Sequence, residues 1–323
     1  MQRRGCCPWL SPWALCRRLP VRLPSGLSAA YMVGLFLFAV LLLAPLAVLG
    51  ARAADADGFD QGLLYRLQPP GGAPSWLFGT IHSDDPRVLD VPEAVLDALA
   101  GARTLVLEVV PDAEAAARSM AAMRYEGVQT LEDALPPDLY ADTLAALAAR
   151  GLPASVGRQF WPWGVVLLLS LPESDSGEIL DLHLYRRAQA AEQPVSALER
   201  VDEQMQVFAQ LAPEQQVTLL RETLASLEQM PAIFDALVAA YLARDLAALA
   251  DIGKRQMQHG DPAVAAYLQT QLLDVRNRRM AERIMPLLQR GGAFIAVGAL
   301  HMTGSGGLLQ RLQAAGVAVE RIY

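Results

Sequence analysis

Two histidines occupy the same four-residue frame near opposite ends of residues 54–323. The frames are Gly79-Thr80-Ile81-His82 and Gly298-Ala299-Leu300-His301, and apolar runs at residues 76–78 and 294–297 precede them. Such runs predict buried strands, and we expect a tight backbone turn at each glycine with the imidazole just beyond it. Imidazole can bind a metal ion or accept a proton, so this repeated frame predicts a chemical site at the edge of a sheet.

Two carboxylates stand at the same kind of position. Glu108 and Glu199 lie at the ends of strand-like segments at residues 104–109 and 194–199. Because functional side chains of α/β sheets gather where strands end, we expect both carboxylates beside His82 and His301. Imidazole nitrogen and carboxylate oxygen suit zinc, manganese or cobalt, which would activate water. The same side chains can also act without a metal, with one histidine taking a proton from water while a glutamate orients it.

Other motifs are interpreted as structural. His183 lies in a helix-like segment and His259 in a polar stretch, and the aromatic residues 160–163 predict core. The glycine-rich residues 304–307 are not followed by a lysine. They therefore predict a tight loop that starts a final helix at Leu308 and holds His301, and not a phosphate cradle. The chain contains neither H-E-x-x-H nor G-x-S-x-G, which excludes the usual helical zincin site and nucleophile elbow.

The first 53 residues predict export. They contain six arginines and no acidic residue, and an apolar run at residues 29–49 leads to Ala51-Arg52-Ala53. This is the pattern of a secretory signal peptide cleaved after Ala53, although an uncleaved anchor of about 20 apolar residues would also span a bilayer. In either case we expect residues 54–323 to be periplasmic, free or anchored to the inner membrane, with membrane contact only through this segment.

Charge and cysteine content exclude several classes of protein. Beyond residue 53, 21 basic residues stand against 34 acidic ones, a formal net charge of −13. Nucleic acid and anionic membrane surfaces require a basic face, so neither is an expected partner. All three cysteines, Cys6, Cys7 and Cys16, precede the apolar run. The exported part therefore has no disulfide, thiolate ligand or cysteine nucleophile, and its core must stabilise it.

The order of predicted elements indicates the fold class. A hairpin-like pair of strands opens residues 54–323, and a strand, a helix and a strand close them. Between these ends, residues 111–171 and 201–289 carry apolar positions at helical spacing, with expected breaks at prolines that include Pro213, Pro231 and Pro262. This order predicts a single α/β or α+β domain. Its mixed central sheet is formed by N- and C-terminal strands and carries a large helical insert.

The same residues resemble the TraB/PrgY/GumN family over about residues 63–323. The resemblance is carried by residues 65–82, which end in Leu-Phe-Gly-Thr-Ile-His, and by the closing residues 297–308. Internal markers follow in the same order: residues 105–108, Gly177 with Asp181 and Leu184, Leu198-Glu199 with Gln204, and Arg276-Asn277. Met302 stands where the family often has leucine.

This resemblance implies a fold shared with the Tiki proteases and, more distantly, with erythromycin esterase and the haem-linked ChaN proteins. In the Tiki branch, two G-x-x-H histidines and a glutamate form a divalent-metal peptidase centre, which corresponds here to His82, His301 and Glu108. In the esterase branch, a comparable set works without metal.

Three functional hypotheses follow. The first is an exported hydrolase that uses Mn, Co or Zn to cleave a peptide or a small molecule, and the second is a hydrolase that uses His82, Glu108, Glu199 and His301 without metal. The third is a binding protein that sequesters a peptide, haem or a polymer without chemistry. For either hydrolase we expect His82, Glu108 and His301 within about 8 Å of one another.

Overall fold

A computed structural model describes residues 58–172, 174, 176–258 and 260–323 of the chain. The predicted signal segment, its cleavage site and His259 lie outside the described residues. Within the described part of the chain, no helix combines the length and apolar character needed to cross a membrane.

One six-stranded mixed sheet forms the centre of the fold, which confirms the predicted α/β class. Its order is β4-β3-β5-β2-β1-β6. Strands β4, β3, β5 and β2 run parallel, and β1 pairs antiparallel with both β2 and β6. The strands are β1 (Leu64–Gln68), β2 (Ser75–Thr80), β3 (Thr104–Leu107), β4 (Val195–Ala197), β5 (Ala293–Gly298) and β6 (Ala318–Arg321).

The parallel arrangement brings four strand ends to one edge of the sheet. Because β2, β3, β4 and β5 point the same way, their carboxyl ends share an edge, the usual place for ligands in sheets of this kind. The residues just beyond these ends include His82, Glu108, Glu199 and His301. All four predicted site residues therefore lie at the same edge of the sheet.

Helices cover the sheet and build a second layer beyond it. The α-helices are α1 (Pro86–Leu89), α2 (Glu93–Ala100), α3 (Ala113–Ala122), α4 (Leu131–Ala134), α5 (Pro137–Ala149), α6 (Ala154–Gly157), α7 (Pro162–Leu169), α8 (Leu180–Ala190), α9 (Val201–Ala209), α10 (Pro213–Ser226), α11 (Met230–Leu242), α12 (Leu246–Gln258), α13 (Pro262–Leu268), α14 (Val275–Arg290) and α15 (Leu308–Ala314). Short 3₁₀ turns span Leu227–Gln229 and Ala299–His301, and a π-helical segment spans Gln269–Asp274.

Two apolar cores stabilise these layers. Phe294 on β5 is fully buried in the first core, and its ring centroid lies 5.9 Å from that of Phe78 on β2. The second core lies among the helices, where the ring of Trp163 stacks on Phe208 at 6.3 Å. Phe160 is also buried there, which confirms the prediction of core for the aromatic segment.

One expected boundary differs from the structure. The strand predicted at residues 104–109 ends at Leu107, although the backbone N–H of Glu199 still donates to the carbonyl of Glu108 at 2.8 Å. The break expected at Pro231 is confirmed, because α10 ends at Ser226, a 3₁₀ turn spans Leu227–Gln229, and this proline is the second residue of α11. A proline there costs nothing, since the first N–H groups of a helix have no partner within the helix.

Candidate active site

All four predicted site residues are buried at the carboxyl edge of the sheet. His82 is 6% exposed, Glu108 4%, Glu199 3% and His301 1%. A buried polar side chain needs hydrogen-bond or charge partners, because burial without them is costly. The partners of these four residues decide what the site can do.

Asn277 on α14 fixes the ring of His301. The Nδ1 atom of His301 lies 2.6 Å from Asn277 Oδ1, and Asn277 Nδ2 donates to the carbonyl of Gly306 at 3.0 Å. Since the amide nitrogen is used for Gly306, Asn277 presents its oxygen to the ring, and His301 donates from Nδ1. The Nε2 atom then carries the lone pair. It has no hydrogen-bond partner among the described residues and lies 3.8 Å from Glu108 Oε1.

Asp181 on α8 stands beside the second imidazole. Its Oδ2 atom lies 3.7 Å from His82 Nδ1, and its Oδ1 atom accepts a hydrogen bond from Thr80 Oγ1 at 3.0 Å. Thr80 is the last residue of β2, so the strand that presents His82 also orients its carboxylate neighbour. His82 and His301 line the same cavity. The structure thus brings the two G-x-x-H histidines together.

A buried guanidinium joins the two glutamates. Arg276 Nη2 donates to Glu108 Oε2 at 2.5 Å and to Glu199 Oε2 at 2.7 Å, and Arg276 Nε donates to Glu199 at 2.9 Å. Gln204 Nε2 donates to both carboxylates, while the N–H of Gly298 donates to Glu108 Oε1 at 2.7 Å. Arg279 Nε also lies 3.8 Å from Glu199 Oε1, so two guanidinium groups face the two carboxyl groups of this cluster.

Sequence reasoning assigned no role to Arg276, Asn277, Gln204 and Asp181, which appeared only as markers of the family resemblance. A signal was available on α14. Asn277 occupies the same helical stripe as the buried Met280, Ile284 and Leu288. A polar residue within an apolar stripe is expected to have a buried polar partner.

Burial sets the protonation of the site. It lowers the pKa of His301 well below its usual value, and Arg276 and His82 lower it further. Burial also lowers the pKa of His82, although Asp181 opposes this effect. Burial raises the pKa of the Glu108 carboxyl to about 7, against the opposing charge of Arg276. Near pH 7 both imidazoles are therefore neutral, which is the form that binds metals or accepts protons.

The expected turn at Gly79 is wrong. Gly79 lies within β2, one residue before its end. A Cβ atom at this position would lie 2.6 Å from Met302 Sδ and 3.2 Å from Ala299 Cα. Glycine is therefore required because the 3₁₀ turn that carries His301 packs directly against the strand that carries His82.

The interpretations of the glycine loop and of His183 agree with the structure. Helix α15 begins at Leu308, directly after the loop, and the carbonyl of Gly306 holds the Asn277 amide that orients His301. His183 lies on α8 with Nδ1 3.4 Å from Glu178 Oε1. This contact with a carboxylate is sufficient to explain His183 as a structural residue.

The donor set fits a divalent metal ion in its chemistry. Within the residues described, no group of three or more His, Cys, Asp and Glu side chains is already arranged around a metal position. However, His301 Nε2 faces Glu108 Oε1 across 3.8 Å, a gap that one ion with bonds of about 2.0–2.2 Å can bridge after a small adjustment. Arg276 donates to Glu108 Oε2 and the N–H of Gly298 donates to Oε1, so a metal ion at Oε1 would use the second lone pair of that oxygen.

The chain belongs to the TraB/PrgY/gumN family, whose model matches residues 63–321. It is 26% identical over 300 residues to Metalloprotease TIKI1 of Danio rerio, an alignment that covers 76% of this chain and 60% of the relative. Metalloprotease TIKI2 of Danio rerio is 27% identical, with 76% and 58% covered. The Metalloprotease TIKI homolog of Amphimedon queenslandica is 26% identical, with 90% and 67% covered. The chain thus aligns with about three-fifths of the length of the fish proteins. No solved structure gives a significant match.

Proposed function

We propose that this protein is an exported, metal-dependent hydrolase that cleaves peptide bonds, with His82, His301 and Glu108 as ligands of one divalent ion. The observation that carries the proposal is the buried Nε2 atom of His301. It lacks a hydrogen-bond partner among the described residues, faces Glu108 Oε1 at 3.8 Å, and lines a cavity together with His82. Similarity to proteins named metalloproteases supports a divalent ion, and imidazole and carboxylate ligands suit manganese, cobalt or zinc.

Residues of the chain itself prepare this chemistry. A bound divalent ion would supply Lewis acidity to polarise the scissile carbonyl and to make water more acidic. Asn277 keeps the lone pair of His301 on Nε2, and Arg276 holds Glu108 so that Oε1 faces His301. Asp181 Oδ2 lies 3.7 Å from His82 Nδ1, and its charge opposes the effect of burial on the pKa of that imidazole. The apolar wall of the cavity, which includes Leu237 and Leu249, limits the access of water.

A second candidate is a hydrolase that uses the same residues without metal. The contact of Arg276 with Glu108 favours it, because this carboxylate already has a cationic partner. With a pKa raised to about 7 by burial, Glu108 can take a proton from water and return it to the leaving group at neutral pH. His301 Nε2 would orient that water.

Metal analysis of the purified protein separates the two candidates. We expect one divalent ion per chain, loss of peptide hydrolysis on chelation, and recovery on addition of Mn²⁺, Co²⁺ or Zn²⁺. The His301→Ala variant should lose the ion. Full activity in the presence of a chelator would favour the metal-free candidate, whereas absence of both ion and hydrolysis would favour the binding-protein hypothesis.

A further inference from the structure

The cavity beside the histidines is small and mostly apolar. Its volume is about 50 Å³, and its wall away from the polar residues consists of Leu237, Leu249, Met257, Leu272 and Leu273. An apolar cavity of about 150 Å³ admits benzene, so this one admits roughly two or three heavy atoms. Its chemistry and size suit a small aliphatic side chain, such as that of alanine.

A much larger groove adjoins this cavity. Its volume is about 610 Å³, within the range of ligand sites in proteins. Helices α12 and α13, the π-helical segment Gln269–Asp274 and the loop residues Thr303 to Ser305 contribute its walls. Met257, Leu273 and Leu300 line both the groove and the cavity. A ligand in the groove therefore reaches the histidines by passing these three side chains.

One positive charge lies in the groove. Lys254 on α12 is the only lysine of the 323-residue chain, it is exposed, and it lines the groove. Among the residues that the structure describes, no carboxylate lies within ion-pair distance of its ammonium group, although Asp251 also lines the groove. A lysine ammonium is a mobile point charge that suits a carboxylate. A ligand carboxylate would therefore find its charge partner at Lys254.

We propose that this groove is the substrate site and that the substrate is a peptide with two recognition features. A carboxylate of the peptide binds Lys254, and a small aliphatic side chain next to the scissile bond enters the cavity beside His82 and His301. This inference rests on the proposed hydrolase function. The carboxylate belongs either to the C-terminus of the peptide or to an aspartate or glutamate side chain.

Peptide pairs that differ in one charge test the contact with Lys254. We would measure kcat/KM for peptides carrying Glu or Gln at successive positions, each as a C-terminal free acid and as an amide, which separates the two carboxylate sources. Lys254→Met should lower kcat/KM about two- to fivefold, and only for the peptide that carries the recognised carboxylate. The effect is small because an exposed ion pair contributes little free energy. Lys254→Arg should retain the preference. Arg118→Met removes an exposed charge from α3, a helix of the second core, and serves as the control.

A second variant tests the cavity. Leu272→Ala shortens a side chain in the wall and so enlarges the cavity. The variant should shift the preference from alanine toward leucine next to the scissile bond by about tenfold, because pocket volume limits discrimination between aliphatic groups to this order. Met257→Ala, at the border with the groove, provides an independent enlargement if Leu272→Ala does not fold. An unchanged preference in a folded variant would overturn the cavity assignment.

The outcomes distinguish this inference from the proposed function. If peptides are hydrolysed but Lys254→Met lowers the rate equally for Glu and Gln peptides and equally for free acids and amides, the contact with Lys254 is wrong and the hydrolase stands. If no peptide is hydrolysed, binding of a fluorescent acidic peptide to the full chain still tests the groove. Binding weakened by Lys254→Met would support the groove and reject the hydrolase, and no binding would reject both.

Discussion

Asn277 holds His301 through a hydrogen bond of 2.6 Å between the amide oxygen and ring Nδ1. The amide is itself oriented by the carbonyl of Gly306, in the loop that follows His301. One side chain of α14 thus fixes both the tautomer of the histidine and the loop beyond it. Partners of this kind are what make a buried imidazole effective as a ligand or base.

Replacement of Asn277 should lower the activity of the protein more than its stability. We expect Asn277→Ala to lower kcat/KM about 10- to 100-fold, the usual effect of removing the partner of a functional histidine. Asn277→Asp keeps an acceptor for Nδ1 and should retain more activity. Activity would be measured below the melting temperature of each variant. Wild-type activity in folded Asn277→Ala would show that His301 needs no such support.

Removal of either G-x-x-H histidine should abolish chemistry. His82→Ala and His301→Ala each remove a ligand or base, so hydrolysis should fall about 100-fold or more while the chain remains folded. Phe294→Ala is the matched control, because it deletes a fully buried ring and should cost about 3 to 5 kcal/mol of stability. Histidine variants that keep both melting temperature and hydrolysis would reject the enzyme hypotheses.

The carboxyl of Glu108 should contribute to the pH dependence of stability. Its pKa rises from 4.5 to about 7 on folding because of burial, so between these values the folded chain binds more protons at Glu108 than the unfolded chain does. Its contribution to the free energy of unfolding is complete below about pH 4.5 and is lost as the pH rises to about 7. Glu108→Gln keeps the neutral shape and removes this titration.

Urea denaturation of wild type and Glu108→Gln at a series of pH values measures the effect. The free energy of unfolding of wild type minus that of the variant should fall between pH 4.5 and 7. The contributions of the two buried histidines largely cancel in this difference because both proteins contain them. A difference that rises with pH over this interval would mean that Arg276 outweighs burial and keeps Glu108 ionised.

Gly79 should not tolerate a side chain. In Gly79→Ala the new Cβ would collide with Met302 Sδ, which lies 2.6 Å from its position. Overpacking of this kind costs about 1 to 3 kcal/mol and should displace the turn that carries His301, lowering activity as well. Gly101→Ala, where the added Cβ meets only a carbonyl at 3.2 Å, is the control. If the clash is the cause, adding Met302→Ala should be less destabilising in Gly79→Ala than in wild type.

If the signal peptide is cleaved on export, Ala54 should be the first residue of the exported protein. The basic start, the apolar run at residues 29–49 and Ala51-Arg52-Ala53 all favour passage through the inner membrane. N-terminal sequencing of the protein from periplasmic and membrane fractions would distinguish cleavage from anchoring. Recovery of the folded protein in the cytoplasm would contradict the predicted localisation.

Local pattern was sufficient to predict most of the elements and the places of four candidate site residues at strand ends. Apolar runs identify β2 and β5, and the residues just past such runs are His82 and His301. The same reasoning finds Glu108 and Glu199, because the end of a strand is a local property of the sequence. The prolines that open α10 and α13 mark helix starts for an equally local reason, since the fixed φ of proline suits the first turn.

The tertiary structure decided which partners these residues have. Arg276 is separated from Glu108 by 168 positions and from Glu199 by 77, and no spacing rule links residues so far apart. Strand order brings these glutamates to one edge, and the packing of α14 against that edge delivers Arg276 and Asn277. The need for glycine at residue 79 likewise arises from contact with a turn more than 200 residues later. Sequence determines where a side chain stands on its own element, whereas packing between elements determines its neighbours, its charge state and the shape of the groove beside it.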